Sequence, residues 1–120
     1  MKAVAEQTYP FTEEGLDAAF AALGDRAGAI ADRLVELGVK GKPGDDTCCA
    51  LANYLKTVVE GVTFASVGDA LVDLRRAGFE DGERVMAYLE ADTPDAAADF
   101  IYVFDAREYP DLIEEASNGS

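Results

Sequence analysis

Capping residues and glycines divide this chain into short segments, and this division limits what it can fold into more than any other feature. Thr12, followed by two glutamates, favours a helix start, because its side chain can cap free N–H groups and the acids face the positive end of the helix dipole. Gly24 ends that helix, and Asp25 and Gly38 bound a second one. The pattern predicts short helices packed around one core.

Two further helices are predicted in the middle of the chain. Asp46 or Thr47 can cap a helix over about residues 48–57. Ser66 and the acid three residues later match the capping-box spacing, so we expect another helix over residues 66–78. Its inward positions would be Val67, Ala70, Leu71 and Leu74.

Two stretches favour strands. Residues 58–65 are rich in β-branched and aromatic side chains. Within residues 83–90, which follow an Asp81-Gly82 turn signal, Val85, Ala87 and Leu89 alternate as in a strand, although Val85, Met86 and Leu89 also fit a helical face. We expect these two strands to pair with each other, because each would otherwise lack a partner.

The C-terminal third reads as two helices. Thr93-Pro94 is a cap followed by a proline that is tolerated in the first turn, which predicts a helix start. The inward face of this helix would be Ala97, Phe100, Ile101 and Phe104. Tyr109-Pro110 would break it and begin a last short helix through about Ala116.

The predicted fold class is therefore α+β and predominantly helical, with five or six short helices around one core and a minor two-stranded β element. An all-α fold is the alternative. A length of 120 residues predicts a single globular domain over residues 1–120, with loosely ordered ends at 1–10 and 117–120.

Acidic residues outnumber basic ones, and the excess lies towards the C-terminus. Asp and Glu total 24 against 10 Lys and Arg, a net charge of −14. Residues 81–120 hold eleven acidic and two basic residues, and so carry −9 of that charge. Binding to nucleic acid needs cations that neutralise phosphates, and anionic membranes repel such a chain. The composition argues against both partners and favours a basic protein surface.

The absence of histidine removes much catalytic chemistry. Ser-His-Asp and Cys-His systems cannot be built within this chain, and two adjacent cysteines cannot supply a structural zinc site. We therefore predict no catalytic residues, no metal and no cofactor.

Cys48 and Cys49 are the candidate reactive thiols. A helix N-terminus lowers the pKa of a thiol, but Asp45 and Asp46 beside them oppose thiolate formation, so packing in the core is the favoured interpretation. Adjacent cysteines close only a strained disulfide, which indicates free thiols and a reducing compartment. No signal peptide or membrane-spanning run is visible, and we expect a cytoplasmic protein.

The acidic C-terminal set is the candidate binding site. The sequence lacks the pattern of a calcium-binding loop. Three interpretations of the acidic set are open: a solvated face that aids solubility, an adaptation to high salt, and a docking surface with Tyr102 as an aromatic anchor. The candidate partner-binding residues are Asp92, Asp95, Asp99, Tyr102, Asp105, Glu108, Asp111, Glu114 and Glu115.

Three stretches carry a resemblance to a known group. The segment Cys49–Leu55 and the ending Phe104–Leu112 are similar to the C-P-L-A-x-Y-L and F-D-x-x-x-Y-P-x-L motifs of small uncharacterised proteins of actinobacteria and their phages. The run Ala31–Gly38 resembles their early helix, and Ala50 stands where their motif has proline. The resemblance implies no activity, and implies a bacterial or phage cytoplasmic protein.

The functional hypothesis is a non-enzymatic acidic interaction protein whose C-terminal third docks onto a basic partner. One specific form is a nucleic-acid mimic, such as a phage-type inhibitor of a nucleic-acid-binding protein. The alternative is a thiol-based redox switch or small enzyme that uses Cys48 or Cys49.

Overall fold

The computed structural model describes residues 8–113, and within them the chain forms an α+β fold. Three helices come first, a three-stranded sheet follows, and a fourth helix closes the fold. The elements are α1 (Glu13–Ala21), α2 (Ala27–Leu37), α3 (Ala50–Val58), β1 (Val62–Val67), β2 (Leu71–Glu80), β3 (Glu83–Asp92), α4 (Asp95–Asp105) and a 3₁₀ turn (Pro110–Leu112).

The helices lie largely where the capping residues and glycines predict, although the N-caps of α2, α3 and α4 differ from the expected residues. The hydroxyl of Thr12 accepts a hydrogen bond from the Gly15 N–H at 2.9 Å, and Gly38 ends α2 with a positive φ of 75°. Cys49 caps α3, since its sulfur accepts from the Ala52 N–H at 3.4 Å. Asp25 is not the cap of α2, because Arg26 holds that position without a side-chain bond.

The prediction of a helix over residues 66–78 is wrong. Ser66 lies in β1, and Gly68 donates its N–H to the Leu71 carbonyl at 2.9 Å, so Asp69 lies in the turn between β1 and β2. From that turn β2 runs on as a strand, and Val72 and Leu74 are buried at alternate positions. The apolar residues of this segment fit both the spacing of a helix and the two-residue alternation of a strand. Pairing with both β1 and β3 favours the strand.

The sheet therefore has three antiparallel strands in the order β1-β2-β3, and the two-stranded element and the all-α alternative are both wrong. The strand expected at 83–90 does form, but it pairs with β2 and not with β1. Asp81 and Gly82 both have positive φ, 51° and 80°, which is the backbone of the tight turn that joins two strands in a hairpin. Among the described residues there are four α-helices, fewer than the five or six predicted.

One core lies between the helices and one face of the sheet. Phe100 and Phe104 are fully buried, and their rings lie 5.5 Å apart in a stacked arrangement. The Tyr54 hydroxyl, also buried, donates to the Ala19 carbonyl at 2.7 Å and so satisfies its polar end inside the core. Near the N-terminus, Tyr9 is tied to the end of α3 by a backbone bond of 2.7 Å to Val58.

Of the helices within residues 8–113, none is both long and apolar enough to cross a membrane. The two longest have 11 residues, against about 20 that a bilayer requires.

Candidate functional site

Helix α4 presents an acidic face to solvent. Its apolar side is buried at the four predicted positions, so the side chains in between point outward. Asp95, Asp99 and Asp105 are all exposed on it. Tyr102 lies among them with 78% of its surface exposed, which is unusual for a side chain with so much apolar area.

Two carboxylates from elsewhere in the chain meet this face. A cleft of about 480 Å³ is lined by Asp46 from the loop before α3, Asp69 from the β1–β2 turn, and Asp105 near the end of α4. Tyr102 forms part of its wall, with Ile101 and Ala106. We call this feature the acidic cleft.

Two hydrogen bonds hold the three segments together. The Val67 N–H donates to the Asp46 carbonyl at 2.9 Å, which fixes the loop before α3 to the end of β1. The Gly44 N–H donates to Oδ1 of Asp105 at 2.8 Å, which ties the same loop to α4. These bonds span distant parts of the sequence, so the cleft exists only in the folded chain.

The β1–β2 turn is anchored from the other side by Thr93. Its N–H donates to the Ala70 carbonyl at 3.0 Å, and its hydroxyl donates to the Gly68 carbonyl at 2.7 Å. Thr93 was expected to cap α4, but its side chain instead fixes the turn that carries Asp69. The N-cap position of α4 is Pro94, which makes no side-chain bond.

The cleft carboxylates carry charge that is not neutralised nearby. Within residues 8–113 the structure has two ion pairs, Arg33 with Glu36 at 2.9 Å and Arg75 with Asp73 at 3.2 Å. Neither pair includes a residue of the acidic cleft or of the α4 face. Asp46, Asp69 and Asp105 are exposed to water, so their proximity costs little in folding while producing a local negative potential.

The remaining predicted residues are not all brought to this place. Asp92 ends β3, opposite Leu71 next to the β1–β2 turn. Glu108 and Asp111 line a different groove, between the 3₁₀ turn and α2. Glu114 and Glu115 lie outside the described residues, as does the end of the helix expected to reach Ala116, whose described part is the 3₁₀ turn Pro110–Leu112.

The thiol pair sits at the start of α3. Cys49 is 3% exposed, and burial raises the pKa of its thiol to about 11. A thiol with such a pKa is protonated at neutral pH and is a poor nucleophile. Cys48 is half-buried beside Thr47, and both cysteines are free. The geometry thus argues against Cys49 as a reactive centre.

Asp46 and Asp69 were missed in the sequence because they lie in a segment of nearly balanced charge. Only the tertiary fold brings them to α4. Within the described residues no group of three or more cysteine or carboxylate side chains is arranged to hold a metal ion.

Comparison with protein-family models, with curated proteins and with solved structures finds no match to this chain. The resemblance to small actinobacterial and phage proteins therefore stays a prediction, and the function has to be argued from the site itself.

Proposed function

We propose that this is a non-enzymatic protein that docks onto a basic protein surface through the acidic cleft and the adjoining face of α4. The observation that carries the proposal is the convergence of Asp46, Asp69 and Asp105 beside the exposed ring of Tyr102. Lysine and arginine side chains of a partner would find unpaired carboxylates there, and Tyr102 would supply apolar contact at the centre. The net charge of −14 would speed the encounter.

A specific form of the proposal is nucleic-acid mimicry in the cytoplasm. In that form the carboxylates take the place of phosphates, and the partner is a nucleic-acid-binding protein that the chain inhibits, as phage-encoded inhibitors do. The chain itself binds neither nucleic acid nor membranes, since both are anionic. No cofactor and no catalytic residue takes part.

The test is affinity capture from a lysate of the native cell with wild-type protein and two matched variants. The cleft variant carries Asp46→Asn, Asp69→Asn and Asp105→Asn, which remove three charges while keeping side-chain shape. The control removes three charges elsewhere, by Asp17→Asn, Asp32→Asn and Glu60→Gln. Basic proteins should be retained by wild type and control and lost by the cleft variant.

Salt provides a second readout. Captured basic proteins should be released as ionic strength rises, because the Debye length falls from about 8 Å at 0.15 M to about 3 Å at 1 M. Retention that does not change with salt, or equal loss in both triple variants, would contradict docking through this cleft.

Competition separates mimicry from general docking. If the cleft imitates a phosphate backbone, duplex DNA or structured RNA added to the lysate should displace the captured protein, and that protein should bind nucleic acid. Capture that persists with excess nucleic acid would retain the docking proposal and remove the mimicry form.

A further inference from the structure

Within residues 8–113, the outer edge of β3 is long, regular and unpaired. In the sheet described, β3 pairs with β2 on one side and has no strand on the other. Its register with β2 runs without interruption from Glu83 opposite Glu80 to Asp92 opposite Leu71. The strand contains no proline and no lysine. β3 therefore lacks bulges, prolines and lysines, three of the features that keep an edge strand from pairing, and its charged residues lie towards its two ends, which leaves Val85–Leu89 uncharged.

The apolar side chains along this edge are also uncovered. Val85, Met86 and Tyr88 on β3 are 37%, 44% and 65% exposed, and Phe79 on β2 is 75% exposed. They lie on the part of the hairpin that extends beyond the core, where every residue from Arg84 to Tyr88 is exposed. Exposed apolar groups that are contiguous along a strand edge mark an interaction surface.

The hairpin turn fixes which backbone groups are free. Two residues, Asp81 and Gly82, separate the strands, so Glu80 and Glu83 form the closing hydrogen-bonded pair. Counting from Glu83, every second residue of β3 bonds to β2. The N–H and C=O groups of the residues between them point away from β2, and these are Arg84, Met86, Tyr88, Glu90 and Asp92.

We propose that β3 pairs with β3 of a second copy of this chain, antiparallel and centred on Ala87, to form a continuous six-stranded sheet. With a two-fold axis at Ala87, a residue that precedes Ala87 by a given number of positions lies opposite the residue of the other copy that follows Ala87 by the same number. The cross-strand pairs are then Arg84 with Glu90, Val85 with Leu89, Met86 with Tyr88, and Ala87 with itself.

This register satisfies charge, burial and backbone geometry together. Each Arg84 faces a Glu90 of the other copy, twice per dimer, and neither residue has an ion-pair partner within residues 8–113. Apolar residues oppose apolar residues between these two charge pairs. Arg84 and Glu90 both direct their backbone groups outward, so their pairing forms N–H···O bonds in both directions. Ala87, whose backbone groups bond to β2, forms the non-hydrogen-bonded pair on the axis.

Shifting the axis loses these matches. Centring on Met86 places Arg84 opposite Tyr88 and leaves Glu90 opposite the Gly82 turn. Centring on Tyr88 places Arg84 opposite Asp92 but leaves Glu90 opposite the apolar Met86. Ala87 is also next to the midpoint of Glu83–Asp92, so Glu83–Ala91 of each copy is paired and only Asp92 lies opposite the partner's turn. A second copy is therefore the occupant that this edge fits.

Charge exchange across the axis tests the proposal. Wild-type protein should sediment as a dimer in a concentration series extending from micromolar to millimolar. Arg84→Glu puts a glutamate opposite Glu90 twice, and Glu90→Arg puts arginine opposite arginine twice, so each change should raise the dissociation constant at least about tenfold. An equimolar mixture of the two variants restores an oppositely charged pair and should form the mixed dimer more tightly than either variant associates with itself.

Matched controls are Lys40→Glu and Glu60→Arg, which make the same charge changes at exposed positions away from β3 and should leave the dissociation constant unchanged. A monomer throughout the concentration series, single variants that dimerise like wild type, or a mixture that fails to associate would each overturn the proposal.

A cross-linking test does not depend on weakening the interface. In a Cys48→Ser background, Ala87→Cys should form an intermolecular disulfide under mild oxidation, because residue 87 lies opposite itself.

Val85→Cys is the control for register, since it lies opposite Leu89 and should cross-link much more slowly. Equal cross-linking of the two variants would overturn the Ala87 register, even if a dimer forms. Circular dichroism of each variant establishes that it retains the wild-type fold before its assembly is compared.

Discussion

The backbone N–H of Gly44 donates a hydrogen bond of 2.8 Å to Oδ1 of Asp105, across 61 residues of sequence. This bond joins the loop before α3 to the last residue of α4, and so helps to form the acidic cleft. Asp105 also places a negative charge at the negative end of the α4 dipole, which is unfavourable. The hydrogen bond and the charge therefore have opposite effects on stability.

Two substitutions at Asp105 separate these effects. Asp105→Ala removes the acceptor and should lower the free energy of unfolding by about 0.5–1 kcal/mol, since the bond is solvent-exposed. Asp105→Asn keeps an oxygen acceptor and removes the charge, so it should be neutral or slightly stabilising. Urea denaturation of both variants measures the difference, and equal stability would show that the Gly44 bond contributes nothing.

Gly41 allows the loop to approach α3 closely, and this predicts strong sensitivity to a methyl group. A Cβ there would lie 2.6 Å from the Cys48 carbonyl oxygen and closer still to backbone atoms of Cys49 and Ala50. Because backbone cannot move aside as a side chain can, Gly41→Ala should destabilise the protein by at least about 2 kcal/mol.

Gly78→Ala is the control for this prediction. Gly78 lies in β2, has no heavy atom within 4 Å of an added Cβ, and should tolerate alanine with a change of about 0 to 1 kcal/mol in the stabilising direction. Thermal denaturation of both variants makes the comparison, and a Gly41→Ala protein as stable as wild type would contradict the tight approach.

The helices could be predicted from the sequence because their signals are local. Thr12 and Gly38 act within a few residues of themselves, and the apolar stripe of α4 repeats at the helical period. The error at residues 66–78 has a different origin, since Ser66 and Asp69 match a helix cap and Val72 and Leu74 fit a strand equally well. Pairing with residues up to Asp92 decides between the two, and a local pattern does not contain that information.

The candidate site was predictable to a similar extent. Asp95, Asp99, Tyr102 and Asp105 follow from the period of a single helix. Asp46 and Asp69 reach them only through backbone bonds such as that from Val67 to Asp46, between residues far apart in sequence. Glu108 was grouped with the others by sequence proximity, yet it lies in another groove because the chain turns after α4.

Arg75 links the three strands on the outer face of the sheet. Its guanidinium lies 4.6 Å from the ring centroid of Phe64 on β1 and 5.5 Å from that of Tyr88 on β3. Each cation–π contact is worth about 0.5–1 kcal/mol at a partly exposed site, and the buried Nε, which has no hydrogen-bond partner among the described residues, offsets part of that gain.

We expect Arg75→Ala to lower the free energy of unfolding by about 1 kcal/mol, since both ring contacts are lost. Arg75→Lys should be intermediate, because lysine keeps the charge and loses the planar stacking surface. Arg33→Ala serves as the control, since it removes an exposed ion pair with Glu36 and should cost at most about 0.5 kcal/mol. Urea denaturation of the three variants makes the comparison, and a loss at Arg33 as large as that at Arg75 would show that the stacked arrangement adds no stability.

Cys49 predicts a loss of stability at alkaline pH. Burial raises the pKa of its thiol to about 11, against 9.0 for an ordinary cysteine. Between these two values the unfolded chain releases the thiol proton and the folded chain retains it, so ionisation favours the unfolded state. The free energy of unfolding should therefore fall as pH rises from 9 to 11, by about 2 kcal/mol from this group.

The substitution Cys49→Ser isolates this effect, because serine keeps a capping side chain for α3 and does not ionise in this range. Tyr54, whose pKa burial also raises, contributes to both proteins and cancels in the comparison. Urea denaturation at pH 8, 9, 10 and 11 should therefore give a shallower decline for Cys49→Ser than for wild type, with Cys48→Ser as the matched control. If the stability of wild type and Cys49→Ser declines in parallel up to pH 11, burial does not keep the Cys49 thiol protonated. The argument against Cys49 as a reactive centre then fails as well.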